Sequence, residues 1–377
     1  MKQTSIFNFL YPSYKITKPI RLIELFAGVG TQAMALRDLG TDFTHHRAIE
    51  IDPFAVKSYN AIHGTNFEPT DITTITADDL AIFDKKQYEY IMTYSFPCQD
   101  LSKAGKQAGM AKDSGTRSGL LWEVERLLLE LQERSELPQV LVMENVPEVI
   151  GAKNYQHFMT WYSSLEKMGY QSYYKLLNAK DYGVPQSRNR CFMVSILGSY
   201  SYTFPEPIPL EKKLRDVLES EVDEKYYIND EVAQKFANKD VRTSGRSSLD
   251  RHSWDVIQIG NCMPTKTRDN PNQGRIYASE GVSPALNCME GGNRQPMIIQ
   301  NSHGCVKDIP TITTGAFREN NFVTEPMCLN SKVDGKQPSL QDRIYDTSAI
   351  STAITTSFMP SIYDQRIANL HRLNAGD

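Results

Sequence analysis

The stretch RLIELFAGVGTQAMALRDLG (21–40) decides the fold. Its first part, RLIELFAG (21–28), is an apolar run that stops at glycine, as a strand buried on both faces does. Its second part, TQAMALRDLG (31–40), spaces Ala33, Ala35, Leu36 and Leu39 for a short helix and closes on a capping Gly40. The same order then repeats. HHRAIEID (45–52) reads as a second strand, and PFAVKSYNAIHG (53–64) as a helix with Pro53 in its first turn. EYIMTYSFPC (89–98) reads as a third strand. SGLLWEVERLLLELQER (118–134) sets Leu120, Leu121, Val124, Leu127, Leu128 and Leu131 on one helical face. QVLVMENV (139–146) is a further buried strand. Strands alternating with helices predict an α/β fold with a doubly wound, mostly parallel sheet.

The alternation fades after about residue 200, where YTFPEPIPLEKK (202–213) reads as a linker rich in proline and charge. Beyond it, GRIYASEGVSPAL (274–286) resembles DRIYDTSAISTAI (342–354), and IPTITT (309–314) is a shorter match. These repeats predict a smaller domain rich in strands and loops. The expected division is a catalytic domain over 1–205, a linker over 206–249 and a second domain over 250–377. With 40% hydrophobic and 23% charged residues, the 377-residue chain is not a disordered one. A net charge of −4 excludes a general basic coat for nucleic acid. The six cysteines are spread too thinly for a disulfide scaffold, and the lack of a C-x-x-C pair argues against a structural zinc site. No apolar run approaches the ~20 residues of a membrane span, and the N-terminus lacks a signal-peptide pattern. The expectation is a cytoplasmic protein with reduced thiols.

Four short segments carry chemistry. Phe26-Ala-Gly28-Val-Gly30 closes the first strand, where glycines let the backbone approach a ligand or simply make a tight turn. It does not fit G-x-G-x-x-G, because Ala33 holds the last position. Glu50 ends the second strand, where a carboxylate can accept from both hydroxyls of a ribose. Together they suggest a nucleoside-bearing cofactor with no pyrophosphate requirement. Asp71 could accept from an adenine amino group or could be a solvated or capping residue. Ser95-Phe-Pro97-Cys98-Gln99 follows the third strand. Its cysteine is either a nucleophile over the sheet or a buried structural thiol. Glu144-Asn145-Val146 ends the neighbouring strand, and a Glu over an apolar floor can keep or share a proton near neutral pH. Gln186-Ser-Arg188-Asn-Arg190 precedes CFMVSILG. Read as a strand, it puts 186, 188 and 190 on one face, where two guanidiniums can orient a carboxylate and hold a carbonyl oxygen.

Taken together, these pieces resemble the DNA (cytosine-5)-methyltransferases. FAGVG looks like that family's cofactor loop, FPCQ its nucleophile loop, ENV its glutamate motif and QSRNR its paired-arginine motif. They occur in the family's order, and KAGKQAGMAKDSGTRSGLLWEV (103–124) and NAKDYGVPQSRNRCF (178–192) extend the match. The resemblance implies a Rossmann-like methyltransferase fold, S-adenosylmethionine as cofactor and double-stranded DNA as partner. Cys98 would attack carbon 6 of a flipped cytosine, and Glu144 would hold ring nitrogen 3 and the amino group. Arg190 would hold oxygen 2, and Arg188 would orient Glu144 and the nearby backbone. Phe26, Gly28, Gly30, Glu50, Ile51, Asp71 and Pro97 would line the cofactor site; Ile51 stands where many relatives carry a larger side chain.

Gln99 and Arg117 would lie along the DNA. Arg275, Asn293, Arg294, Arg318 and Arg343, with Gly291-Gly292, are candidates for base reading in a target-recognition domain. The resemblance also leads one to look for an Arg-x-Leu-Thr-Pro-Arg-Glu helix and a Gly-Asn-Ser/Ala-Val segment, and neither is found. Two expectations follow. One is a DNA methyltransferase of a restriction-modification or phage protection system. The other is an incomplete or split subunit that binds DNA and gains activity from a second polypeptide.

Overall fold

Glycine-bounded apolar runs become strands, and the amphipathic stretches between them become helices. The computed structural model describes residues 11–98, 101, 109–112, 116–219, 255–261, 274–286, 296–301 and 310–313. They fall into two units, one drawn from 11–177 and 189–206, the other from 178–188 and 207–313.

The first unit opens with β1 (Ile20–Leu25), α1 (Thr31–Asp38), β2 (Phe43–Ile49), α2 (Pro53–His63) and the short α3 (Ala77–Leu80). It continues through β3 (Glu89–Tyr94), α4 (Leu121–Glu133), β4 (Val140–Asn145), α5 (Tyr155–Lys167) and β5 (Tyr170–Asn178). After β6 (Gln186–Ser187), which belongs to the second unit, β7 (Asn189–Leu197) returns to the first. The sheet order is β2-β1-β3-β4-β7-β5. β2, β1, β3 and β4 run parallel, and β7 is antiparallel to β4. The chain steps one way from β1 to β2 and the other way to β3. The carboxyl ends of β1 and β3 therefore form a topological switch point, where such sheets bind ligands.

Strand alternation divides the core between the two faces. Tyr90, Met92, Tyr94, Leu141, Met143 and Met193 meet Leu121, Val124, Leu128, Phe158, Trp161 and Leu165 of α4 and α5. Trp161 Nε1 donates to the Tyr94 hydroxyl at 3.1 Å, so the polar end of this buried ring is satisfied. On the other face Leu22, Ile91, Val140, Val194 and Ile196 pack with Ala33 of α1, whose small side chain lets the helix approach the sheet. α2 begins as its sequence predicts. Asp52 accepts from the Phe54 N–H at 2.8 Å, Pro53 occupies the first turn, and Gly64 closes the helix at φ 65°. Among the described residues, no helix is long and apolar enough to cross a membrane.

In the second unit β8 (Gln258–Asn261), β9 (Arg275–Tyr277), β11 (Met297–Asn301) and β12 (Pro310–Thr313) form a sheet ordered β12-β11-β9-β8. β10 (Ser283–Pro284) pairs in parallel with β6. The first repeat thus supplies β9 and β10, and IPTITT supplies β12; the second repeat, 342–354, lies outside the described residues. From Pro207 on, the stretch read as a linker belongs to this unit. The Ile208 N–H donates to the Asp181 carbonyl, the Leu214 N–H donates to the Gly281 carbonyl, and Arg215 pairs with Glu280.

One expectation is corrected. QSRNR does not run as a continuous strand with 186, 188 and 190 on one face, because β6 stops at Ser187 and β7 starts at Asn189. Asn178 causes the break by accepting the Arg188 N–H on its Oδ1 at 2.9 Å. The Arg188 carbonyl in turn accepts from the Ala179 N–H at 3.1 Å. Both backbone groups of Arg188 are thereby taken out of the ladder.

Candidate active site

The glycine loop after β1 is bent through left-handed backbone. Phe26 has φ 58°, Gly28 55° and Gly30 78°. Such a conformation at a non-glycine costs ~1–3 kcal/mol and gathers at ligand sites. Gly30 allows no side chain, because a Cβ there would lie 2.4 Å from His63 Nε2 and 2.5 Å from the Tyr59 ring. Glu50 locks the loop to the end of β2. Its Oε2 accepts from the Gly28 N–H at 2.9 Å and its Oε1 from the Asp52 N–H at 3.0 Å. Beside it Ile51 is 64% exposed, an apolar face open to a ligand. The Thr70 N–H donates to the Glu50 carbonyl at 2.7 Å, which brings the next turn alongside. There Asp71 Oδ1 accepts from the Thr73 N–H at 2.9 Å. A glycine loop, an oriented carboxylate and an exposed aliphatic face at the carboxyl ends of β1 and β2 fit a nucleoside-bearing cofactor.

Beyond β3 the chain continues to Cys98 as a loop anchored at successive carbonyls. Asn145 Nδ2 donates to the Phe96 carbonyl at 3.0 Å, and the Ser118 hydroxyl donates to the Pro97 carbonyl at 2.7 Å. The Leu101 N–H donates to the Cys98 carbonyl at 3.0 Å. Cys98 itself is partly exposed. The other described cysteine, Cys191, is fully buried, and its thiol is pushed up to about 12 by burial and then by the Glu144 charge. Of these two thiols, Cys98 is the one with access to a reactant.

Glu144 stands at the end of β4. Tyr94 of β3 pairs with Met143, so the carboxyl ends of the two strands are level and Cys98 and Glu144 leave the same edge of the sheet. Glu144 is 5% exposed, and Arg190 on β7 places Nε 2.8 Å from its Oε1. Arg190 Nη1 donates to the Asn189 carbonyl at 2.8 Å. A pocket of about 230 Å³ runs along the α1 face of the sheet up to Glu144 and Gln32, over a floor that includes Leu36, Ile91, Val142 and Phe192. Carboxylate, guanidinium and apolar wall together can grip the polar edge of a planar ring.

The remaining expected residues are distributed more widely. Arg188 belongs to the second unit, where its Nη1 donates to the Leu286 carbonyl at 3.3 Å. The described side-chain contact to Glu144 is made by Arg190. Arg117 opens the 3-10 turn Arg117–Leu120 that carries Ser118 to the Cys98 loop. Arg275 opens β9, where it hydrogen-bonds Tyr277. Gln99, Gly291, Gly292, Asn293, Arg294, Arg318 and Arg343 lie outside the described residues.

The sequence reading assigned no role to Asn145, Ser118 or Glu24. Glu24 left one signal, a lone acid inside the apolar run RLIELF. It is fully buried, accepts from the Tyr59 hydroxyl at 2.5 Å, and is raised to about 7 by burial.

Comparison with known proteins gives the following. A family model described as C-5 cytosine-specific DNA methylase matches residues 20–316. The type II methyltransferase M2.ScrFI of Lactococcus lactis subsp. cremoris is 33% identical over 265 residues, covering 57% of this chain and 72% of the relative. The orphan methyltransferase M.SssI of Spiroplasma monobiae is 32% identical over 267 residues, covering 56% and 68%. The orphan methyltransferase M.SPBetaI of Bacillus phage SPbeta is 27% identical over 345 residues, covering 74% of each chain. Among solved structures, the S. pombe Dnmt2 methyltransferase superposes with a TM-score of 0.52 at 19% identity, covering 81% of this chain and 84% of that one. At that identity the likeness concerns the fold.

Proposed function

The chain belongs to the C-5 cytosine-specific DNA methylase family, and we propose that Cys98 is the nucleophile with which it methylates carbon 5 of a cytosine extruded from duplex DNA. The buried Glu144–Arg190 pair carries this reading, because it ends the strand next to the one that delivers Cys98.

Carbon 5 of cytosine is a poor nucleophile. The Cys98 thiolate adds to carbon 6 and forms the S–C6 bond, while the C5=C6 electron pair is drawn toward ring nitrogen 3. Glu144, which takes up a proton from solvent as the base enters, gives it to that nitrogen and accepts from the amino group, so the ring becomes an enamine with a nucleophilic carbon 5. S-adenosylmethionine, when bound, would supply a methyl group made electrophilic by its sulfonium sulfur, which would keep the electron pair of the broken S–CH3 bond as S-adenosylhomocysteine leaves. Once carbon 5 carries the methyl, its proton passes to solvent, the S–C6 bond breaks, and the thiolate is restored. Glu144 recovers its proton from nitrogen 3. Arg190 keeps the carboxyl placed and holds oxygen 2. The base must leave the stack first, since its neighbours cover both ring faces.

Phe26, Gly28, Gly30, Glu50, Ile51, Asp71 and Pro97 are proposed to hold the cofactor: Glu50 the ribose, Ile51 and Asp71 the adenine. Residues 1–205 form the catalytic domain in this reading, and 250–377 form the target-recognition domain. Arg275 and Arg294 contact bases, and Gln99 and Arg117 contact the strand. Arg188 is proposed to orient Glu144 and the nearby backbone. The names of the relatives, a type II enzyme and a phage orphan, support a role in restriction-modification or phage protection in a bacterial cytoplasm.

Tritiated methyl transfer to duplex DNA tests the proposal. Wild type should label the DNA and Cys98→Ala should not; equal incorporation by the two would overturn it. The same assay decides the need for a second polypeptide, because full turnover by this chain alone ends that alternative.

A further inference from the structure

Against the glycine loop lies a polar cluster, buried at Glu24 and Tyr59 and half-buried at His45 and His63, that methyl transfer does not use. Glu24 comes from β1, His45 from β2, and Tyr59 and His63 from α2. The Tyr59 hydroxyl donates to Glu24 Oε2 at 2.5 Å, and the Ala33 N–H, in the first turn of α1, donates to Oε1 at 3.3 Å. His45 Nδ1 lies 2.8 Å from the Tyr59 oxygen. His63 Nε2 lies 3.0 Å from the Val29 carbonyl, inside the loop itself. The Tyr59 ring and His63 Nε2 also fill the space where a side chain on Gly30 would stand. The cluster therefore touches the loop at Val29, Gly30 and the start of α1. A carboxyl at 0% exposure needs such partners to be tolerated at all.

We infer that Glu24 is a positioning residue for the cofactor loop, acting through Tyr59 and the first turn of α1, and that its proton is coupled to cofactor affinity. The hydrogen bonds give the coupling a mechanism. An ionised Glu24 accepts from both Tyr59 and Ala33, so the Tyr59 oxygen accepts from His45 Nδ1–H. A protonated Glu24 donates to Tyr59 instead, and the Tyr59 proton must turn to His45 Nδ1, which changes the histidine tautomer. The ionised state thus fixes Tyr59 by a charge-assisted bond beneath Gly30, and the protonated state loosens it.

The surrounding groups suit a neutral-range change. Burial raises Glu24 to about 7, against the lowering pull of its Tyr59 and Ala33 hydrogen bonds. Burial lowers His45, and it lowers His63 to about 4, so both rings are neutral there. After burial, His45 and then Arg37 of α1 add a smaller lowering of His63.

The inference rests on FAGVG being the cofactor loop. Its test is calorimetric titration of the full chain with S-adenosylhomocysteine from about pH 5.5 to about pH 8.5. Wild type should bind about fivefold more weakly below a midpoint near neutrality, at the low end of coupling between linked sites. Glu24→Gln should remove that step, and comparing the variant with wild type cancels the ligand's own titration. Tyr59→Phe, which removes a bond that lowers the Glu24 carboxyl, should move the midpoint to higher pH. Thermal unfolding of each variant reports its fold, and if Glu24→Gln does not fold, the Tyr59→Phe shift decides. A flat wild-type profile, a step retained in Glu24→Gln, or an unmoved midpoint in Tyr59→Phe overturns this inference alone. Absence of binding by wild type at every pH overturns the cofactor-loop reading and this inference with it.

Discussion

Replacing Arg190 by methionine removes the cation from a pair in which both side chains are largely buried, 14% exposed for Arg190 and 7% for Glu144, with Nε 2.8 Å from Oε1. At an effective dielectric near 20, charges at that separation attract by roughly 6 kcal/mol. Desolvating each ion costs several kcal/mol, so the intact pair contributes little net stability. The single variant meets a different balance, because it keeps the cost of a buried carboxylate and loses the attraction. Arg190→Met should therefore destabilise the chain by about 3–5 kcal/mol. Adding Glu144→Gln should recover at least about 2 kcal/mol, since no charge is then left behind. Urea unfolding of wild type, the two single variants and the double variant, read as midpoint and slope, measures each quantity. An Arg190→Met variant within about 1 kcal/mol of wild type would refute the reasoning, as would a double variant less stable than Arg190→Met.

Three further outcomes are expected. Glu24 holds its proton more tightly folded, at about 7, than at its ordinary 4.5, so its contribution is full below pH 4.5 and lost as pH rises through 7. At about 1.4 kcal/mol per pH unit this is about 3 kcal/mol, and Glu24→Gln should flatten that part of the stability profile in thermal unfolding. Gly30→Ala, which forces a side chain onto His63 and Tyr59, should weaken S-adenosylhomocysteine binding at least about tenfold by calorimetry. Gly40→Ala, at a similar φ of 67° with nothing within 4 Å, should leave that affinity unchanged. Cys191→Ala should lower stability by about 1 kcal/mol in urea yet keep methyl transfer, as befits a buried thiol without a chemical role.

The sheet was legible because its strands are apolar runs that end in recognisable turns. Ile20–Leu25, Glu89–Tyr94 and Val140–Asn145 lie where RLIELFAG, EYIMTYSFPC and QVLVMENV place them. The helix Tyr155–Lys167 was not read. It starts at Asn154 without a side-chain cap and buries its face through the widely spaced Phe158, Trp161 and Leu165. The strand Tyr170–Asn178 was missed as well, because its outer half is exposed and its alternation fails after Ser172. The break at Arg188 depends on a side chain ten positions earlier, a contact no local pattern reveals.

The same holds at the site. The motif residues were legible one by one, but their supports were not. Asn145 reaches the Phe96 carbonyl and Ser118 reaches Pro97 across the sheet edge. Glu24 is satisfied by α1 and α2, and His45 of β2 completes the cluster through Tyr59. Periodicity identifies the element a residue occupies, whereas these supports are set by which elements become neighbours.

The central claim is that one thiolate bonds to a ring carbon during each turnover. Duplex DNA carrying 5-fluorocytosine at target positions tests it most directly, because fluorine cannot leave carbon 5 as a cation and the final elimination stalls. With S-adenosylmethionine present, wild type should form a protein–DNA species that survives denaturing electrophoresis, and peptide mapping should place the link on Cys98. Methyl transfer to ordinary DNA with no such species on fluorinated DNA, or a link that persists in Cys98→Ala, would contradict the account.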